Sequence, residues 1–147
     1  ISSNTSSVTL YHTTHTNFNT KIINISGKTK EYFMLENIGH GGYQAGLDYI
    51  IGGNDNTSGI AIWHIDDNQS GNNDYNHKLV DLEEAADAGL DLGTHSGKQT
   101  NLFFSGNKTE FSDSTDPNSK TYSGTSSGIT IDNISAAGDS MTFDVTF

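Results

Sequence analysis

The chain has 147 residues, the size of one domain with room for a hydrophobic core. Seven lysines, no arginine and 18 acidic residues give a net charge of −11, which excludes a nucleic-acid partner because nothing here displaces counterions from phosphates. No apolar run approaches the roughly 20 residues that span a bilayer, and the lack of cysteine removes disulfides and thiolate metal sites.

Hydrophobic residues make up only 32%, and their place is taken by 16 Gly, 17 Ser, 17 Thr and 15 Asn rather than by charge. Such a composition favours turns between short strands over helices. The 10% aromatic residues sit inside alternating runs, which argues against disorder. The acidity fits either solubility outside the cell or cation binding. No signal peptide is visible, and the chain opens on Ile1 rather than Met, which reads as a processed piece of something longer.

Ile1–Ser7 is a polar lead-in. Val8–Tyr11 and Lys21–Ile25 read as short strands separated by a polar turn, and Ser26-Gly27-Lys28 is a turn signal. Glu31–Asn37 follows as a strand that is apolar on both faces. Gly39–Gly53 is a Gly-rich excursion carrying Tyr43, Leu47, Tyr49, Ile50 and Ile51, long enough for a functional loop. The run Ser58-Gly59-Ile60-Ala61-Ile62-Trp63-His64-Ile65-Asp66-Asp67 is the clearest strand. With period two, Ile60, Ile62, His64 and Asp66 share one face while Ala61, Trp63 and Ile65 share the other. Both faces begin apolar, which predicts a central strand with Trp63 buried. Lys78–Ala86 reads as a strand running into a turn, and Asn101–Phe104 as a short apolar strand. Gly128–Ser135 and Ser140–Phe147 form a hairpin around Ala136-Ala137-Gly138-Asp139. Eight short strands with almost no helical periodicity predict an all-β fold, an antiparallel β-sandwich with long irregular loops in a single domain over 1–147.

The loop after the Trp63 strand follows a calcium template. Asp66, Asn68, Ser70 and Gly71 stand at positions 1, 3, 5 and 6, with Asn72 at 7 and Asp74 at 9. A hard cation takes six to eight oxygens, and this loop supplies oxygen-bearing side chains around a turn. His77 occupies position 12, where the template has a bidentate Glu, and no helices flank the loop, so it is not an EF-hand. A turn held by its own Asn and Asp side chains is the alternative. Asp113, Asp116 and Asn118 around Pro117 form a second, weaker metal candidate. His64 reads as a core histidine bonded to a nearby acid, Glu36 or Asp66, or as a cleft residue. His12-x-x-His15 has no helix to align it for zinc, and no H-E-x-x-H occurs. Gly124-Thr125-Ser126-Ser127-Gly128 matches G-x-S-x-G, but no His follows Ser126 in the chain, so a serine hydrolase is excluded. Six N-x-[ST] sequons, at Asn4, Asn24, Asn56, Asn68, Asn107 and Asn133, are expected by chance in so Asn-rich a chain.

Glu31-Tyr32-Phe33-Met34-Leu35-Glu36-Asn37, a Gly-rich gap, and then Ser58-Gly59-Ile60-Ala61-Ile62-Trp63-His64-Ile65-Asp66 resemble the immune inhibitor A family of secreted bacterial zinc metallopeptidases. The likeness continues through Leu79–Asp87, Phe111, Pro117-Asn118-Ser119, Tyr122-Ser123-Gly124, Ser127-Gly128-Ile129 and Met141-Thr142-Phe143, so it covers nearly everything from Val8 onward. Ile38 follows Asn37 here, where relatives often carry an Asn-Arg pair, and the family's H-E-x-x-H helix is missing from this chain. The resemblance therefore implies a β-rich, non-catalytic domain C-terminal to a catalytic core, secreted, with zinc held only in that other region. Its partner would be the catalytic domain of the same polypeptide, and it would stabilise that domain or line a cleft for a protein or polysaccharide substrate. The alternative is a free-standing carbohydrate-binding module with structural calcium, using Tyr43, Tyr49, Tyr75 and Tyr122 in its loops.

Overall fold

Alternation of apolar and polar side chains builds two antiparallel sheets from short strands. The computed structural model describes residues 1–12, 14–39, 58–86, 89–94 and 97–147. Among these are β1 (Thr5–Tyr11), β2 (Thr20–Asn24), β3 (Glu31–Ile38), β4 (Gly59–Asp66), β5 (Val80–Leu82), β6 (Thr130–Asp132) and β7 (Ser140–Thr146). One sheet has the order β1-β7-β6, the other β2-β3-β4-β5. The fold class read from the sequence is thus all-β, with two antiparallel sheets facing one another as a sandwich. Among the described residues no helix is long and apolar enough to cross a membrane.

β3 alternates strictly. Glu31, Phe33, Leu35 and Asn37 are buried, while Tyr32, Met34, Glu36 and Ile38 are half-buried. Its pairing with β4 sets Phe33 opposite His64 and Leu35 opposite Ile62, so Ile60, Ile62, His64 and Asp66 share its buried face. Against that face the other sheet turns Leu10, Ile131, Met141, Phe143 and Val145, and the loops add Phe103 and Phe111, in one continuous core. Phe111 meets both Phe33 and Phe103 edge-on, with ring centroids 5.2 and 5.8 Å apart, an arrangement that favours aromatic quadrupoles as well as burial.

β4 is an interior strand, as its sequence predicts, but Trp63 is half-buried rather than sealed. The register explains this. Because Phe33 and Leu35 draw His64 and Ile62 inward, Trp63 falls on the opposite face beside Met34. There its indole N–H donates to Glu36 Oε1 at 3.0 Å, a bond that an apolar interior would not supply. At the start of β4, a Cβ on Gly59 would sit 2.6 Å from Leu102 Cβ, so only glycine permits this approach. It lets Ile60 and Phe103 exchange both backbone hydrogen bonds at 2.9 Å.

Three expected strands are shorter than read or absent, and Gly128–Ser135 contributes only Thr130–Asp132. Lys78–Ala86 contributes only Val80–Leu82, because Glu84 turns to accept the amides of Leu90 and Asp91. Asn101–Phe104 is not a strand. A 3-10 turn occupies Gln99–Asn101, and Phe103 makes a single bridge to Ile60. The Gly-rich excursion with Tyr43, Leu47, Tyr49, Ile50 and Ile51 lies outside the described residues beyond Gly39, as do His40, Asn56 and His95.

Candidate functional site

The inner face of the four-stranded sheet changes character along its length. Leu35, Ile60 and Ile62 meet the opposing sheet at one end, and Glu31, His64 and Asp66 carry polar groups at the other. Alternation in β5 puts Asp81 opposite His64 and Glu83 on the same side two residues later. Strand register alone therefore gathers these acids around one imidazole.

His64 is 3% exposed, and both of its ring nitrogens face carboxylates. Nδ1 is 3.1 Å from Glu83 Oε1 and Nε2 is 3.2 Å from Glu31 Oε1. A neutral imidazole has one N–H, so two such contacts need a second proton, carried by the ring or by a carboxyl. Burial pushes Glu83 above the ordinary glutamate range, and the charges of Asp81 and Asp91 add to this, while the bond to His64 pulls the other way. Glu83 thus keeps its proton to higher pH than a free glutamate. Both ring faces are also covered. Phe33 lies tilted at 4.6 Å and Tyr122 stacks at 4.2 Å with planes 14° apart.

Tyr122 sits between two imidazoles, since His77 stacks on it at 4.2 Å as well. Its backbone N–H donates to Glu31 Oε1 at 2.7 Å. Its hydroxyl is buried without a partner at good hydrogen-bond geometry, the Lys78 backbone acting on it only weakly. Burial first, and then the charges of Asp81 and Glu83, raise its ionisation well above the ordinary phenol range. His77 Nε2–H in turn donates to Asp66 Oδ2 at 2.7 Å. The result is a chain of contacts from Glu83 through His64, Tyr122 and His77 to Asp66.

Beside this chain lies an acidic cleft. A cavity of about 380 Å³ is lined by Asp81, Glu83, Glu84, Asp91 and Lys108. A second, of about 430 Å³, shares Glu83, Asp116 and Pro117 with it and reaches His64 and Tyr122. Lys78 joins the two walls by bonding Asp81 at 2.6 Å and Asp91. Burial raises Asp81 and Asp91 adds repulsion, only partly offset by the Lys78 bond.

Most side chains of the calcium template bond neighbouring backbone and side-chain groups. Asp66 Oδ1 accepts from the backbone N–H and side-chain amide of Asn68, at 2.9 and 2.7 Å. Burial works against its charge, but these bonds and His77 outweigh it and hold the carboxyl below the ordinary range. Ser70 is exposed. The Asn72 side chain pairs with the Val80 backbone in both directions, at 2.8 and 2.9 Å, in place of a ladder partner. Asp74 accepts the Asn76 N–H at 3.0 Å. Donors, not acceptors, surround these oxygens, as in a turn locked by its own side chains.

The second candidate behaves alike. Asp113 accepts from the Ser126 hydroxyl, the Ser127 and Gly128 amides and the Ser119 hydroxyl. Although burial pushes the other way, these donors hold Asp113 below its ordinary range. Asn118 accepts the Lys120 N–H at 3.1 Å, and Asp116 is exposed, with its backbone carbonyl taking the Lys108 ammonium. Among the described residues, no group of three or more His, Asp or Glu side chains is placed to hold a metal ion.

Glu36 is a correction to the sequence reading. It faces away from His64 and holds Trp63, because residues 31 and 36 point to opposite sides of a strand. Asp66 likewise pairs with His77 rather than His64. The true partners, Glu31 and Glu83, were legible as period-two neighbours of His64 once the register is known. Tyr122 carries no local signal, since it lies in an irregular segment. Of the candidate sugar-binding tyrosines, Tyr122 is consumed by the two histidines, while Tyr75 is 53% exposed with the Lys78 ammonium 5.7 Å from its ring centre. Tyr43 and Tyr49 lie outside the described residues. Comparison of the chain with family models, with curated proteins and with solved structures finds no match.

Proposed function

We propose that this chain is a non-catalytic β-sandwich domain of a secreted zinc metallopeptidase of the immune inhibitor A type, stabilising the catalytic domain or lining its substrate cleft. One observation carries the reading. The two segments that resemble that family lie side by side as β3 and β4, and their polar residues are spent on holding the sheet together. Glu31 bonds His64, Glu36 bonds Trp63, and the Asn37 side chain donates to the Gly138 carbonyl at 2.9 Å. His64, with both nitrogens engaged and both faces covered, has no lone pair to offer a substrate. It acts as a cross-link.

The family's catalytic zinc does not fit this chain. No H-E-x-x-H occurs in it, and among the described residues no group of three or more His, Asp or Glu side chains is placed to hold a metal ion. Zinc and peptide hydrolysis belong, in this reading, to a catalytic domain elsewhere in the polypeptide. Calcium at Asp66 stays part of the proposal only if the ion exchanges places with His77. The acidic, arginine-free composition supports export.

Two measurements test the reading. The gene sequence flanking this chain should encode an H-E-x-x-H helix upstream. The purified 147-residue chain should leave casein intact with or without added zinc. Flanking sequence with no zinc motif, or chelator-sensitive proteolysis by the chain alone, overturns it.

A further inference from the structure

Among the described residues, the two sheets end on four outer strands, β1 and β6 in one and β2 and β5 in the other. Backbone covers part of two of these edges. Phe111 and Ile131 exchange both hydrogen bonds at 2.8 Å beyond β6, and Ile1 bonds the Ile22 carbonyl and the Asn24 N–H beyond β2. Asparagine side chains meet the other two.

On β5, Asn72 Nδ2 donates to the Val80 carbonyl at 2.8 Å and Asn72 Oδ1 accepts the Val80 N–H at 2.9 Å. One residue of an antiparallel neighbour makes the same two-way exchange. On β1, Asn19 Oδ1 accepts the Tyr11 N–H at 2.9 Å and Asn19 Nδ2 donates to the Thr9 carbonyl at 3.0 Å. Those bonds flank Leu10, as the bonds of one residue of a parallel neighbour do. A carboxamide carries a donor and an acceptor side by side, as a peptide group does. Unlike a strand, it brings no new edge behind it, so the ladder ends there.

Both edges lack the usual deterrents to another strand. β1 reads TSSVTLY, with neither charge nor proline. A bulge between Thr5 and Val8, with Ser7 at φ 54°, bends its first half, and Asn19 covers the second. β5 leaves Val80 36% exposed, and its one charge, Asp81, is bonded to Lys78.

We propose that Asn19 and Asn72 keep this chain from adding to a second copy of itself, by closing the free edges of β1 and β5 with side-chain amides. Without the carboxamide, the same edge on two copies can pair antiparallel about a twofold axis, each strand supplying the groups the other lacks.

The test is sedimentation velocity on the 147-residue chain and its variants, with circular dichroism to verify the β fold of each. The parent should run as a monomer, and Asn72→Ala and Asn19→Ala should each shift to dimers or larger species. Asn107→Ala is the matched control. Its side chain also donates to two backbone carbonyls, of Thr100 at 2.9 Å and Leu102 at 2.7 Å, but these lie outside any strand. It should stay monomeric. Adding Val80→Lys to Asn72→Ala should restore the monomer, because an edge lysine repels a second strand without replacing the amide bonds. A folded double variant also shows that the chain folds without Asn72. A parent that already associates overturns the proposal, and a monomeric Asn72→Ala or Asn19→Ala overturns it for that edge. Equal association of Asn107→Ala, or association that survives Val80→Lys, overturns it too, since lost stability alone then accounts for the result.

Discussion

Trp63 and His64 are neighbours in sequence and sit on opposite faces of the same sheet, each held by glutamate. Hydropathy alone would bury the tryptophan and expose the histidine. The molecule does the opposite, leaving His64 3% exposed and Trp63 half-buried. The inner face is closed by a second sheet, so His64 there needs two carboxylates and two aromatic rings to satisfy it. The outer face lets Trp63 manage with one, Glu36. Register, set by the apolar pairs Phe33 and Leu35 with their β4 partners, decides the side. Chemistry then adapts to it.

The comparison breaks most visibly through the inner face. Phe33→Ala removes a fully buried ring packed on Phe111 and His64, and should cost about 3–5 kcal/mol in denaturant unfolding. His64→Ala should cost a similar amount, roughly 3–5 kcal/mol, because it leaves the buried Glu31 and the half-buried Glu83 without their imidazole. A loss below about 1 kcal/mol in either variant would show that this face is looser than its packing implies.

The outer face sharpens the contrast. Trp63→Ala should cost about 1–3 kcal/mol, less than Phe33→Ala, since part of the indole is already in water and one hydrogen bond is lost. A Trp63 loss equal to that of Phe33 would mean the two faces are equally sealed in solution.

How much of this was legible before the structure depends on whether a signal was local. The alternation in Glu31–Asn37 and Ile60–Asp66 names both strands and their faces without any coordinates. The same alternation shows that Glu36 and His64 differ in side only when register is added, and register is a property of two strands together. Glu83 reaches His64 from 19 positions away and is placed there only by the register of β5, while Tyr122 comes from 58 positions away in an irregular segment with no periodicity. The loop after β4 was ambiguous for a different reason. Asp, Asn and Ser suit a cation loop and a self-bonded turn equally well, because both use the same side-chain oxygens.

Acid titration separates two kinds of carboxylate in the molecule. Glu83 is raised above its ordinary 4.5, chiefly by burial, so the folded state holds its proton more tightly than the unfolded chain. Its contribution is fully present below pH 4.5 and is lost as pH rises through the folded value. Glu83→Gln should therefore gain stability relative to the parent as pH rises from 4.5 toward 7. Asp113 is lowered beneath 3.8 by its ring of donors, so its contribution is present above pH 3.8 and disappears as pH falls through the folded value. Asp113→Asn should be most damaging at neutral pH and approach the parent in acid. Urea unfolding at several pH values reads both, and parallel pH profiles for parent and variants would contradict the assignment.

The smallest effect concerns the Asp66 loop, where the two readings of one motif meet. Asp66 Oδ2 is taken by His77 at 2.7 Å and Oδ1 by Asn68. A calcium ion would have to displace His77, giving up that bond and its link to the Tyr122 stack. With His77 in place, 1 mM calcium should therefore stabilise the chain by under about 0.5 kcal/mol, what a ligand at its own Kd provides. His77→Ala frees the carboxylate oxygen without touching the other template oxygens. Its calcium-dependent gain should rise to about 1.4 kcal/mol, the value for a tenfold excess over Kd, within reach of a weak extracellular site. Each variant is compared with itself in calcium and in EDTA, so the cost of losing the stack cancels. Asp66→Ala should abolish the gain in both backgrounds. If His77→Ala responds no more than the parent, the loop is a turn held by its own side chains. If the response survives Asp66→Ala, the ion binds elsewhere, and Asp116, whose carboxylate is exposed, is the next carboxylate to remove.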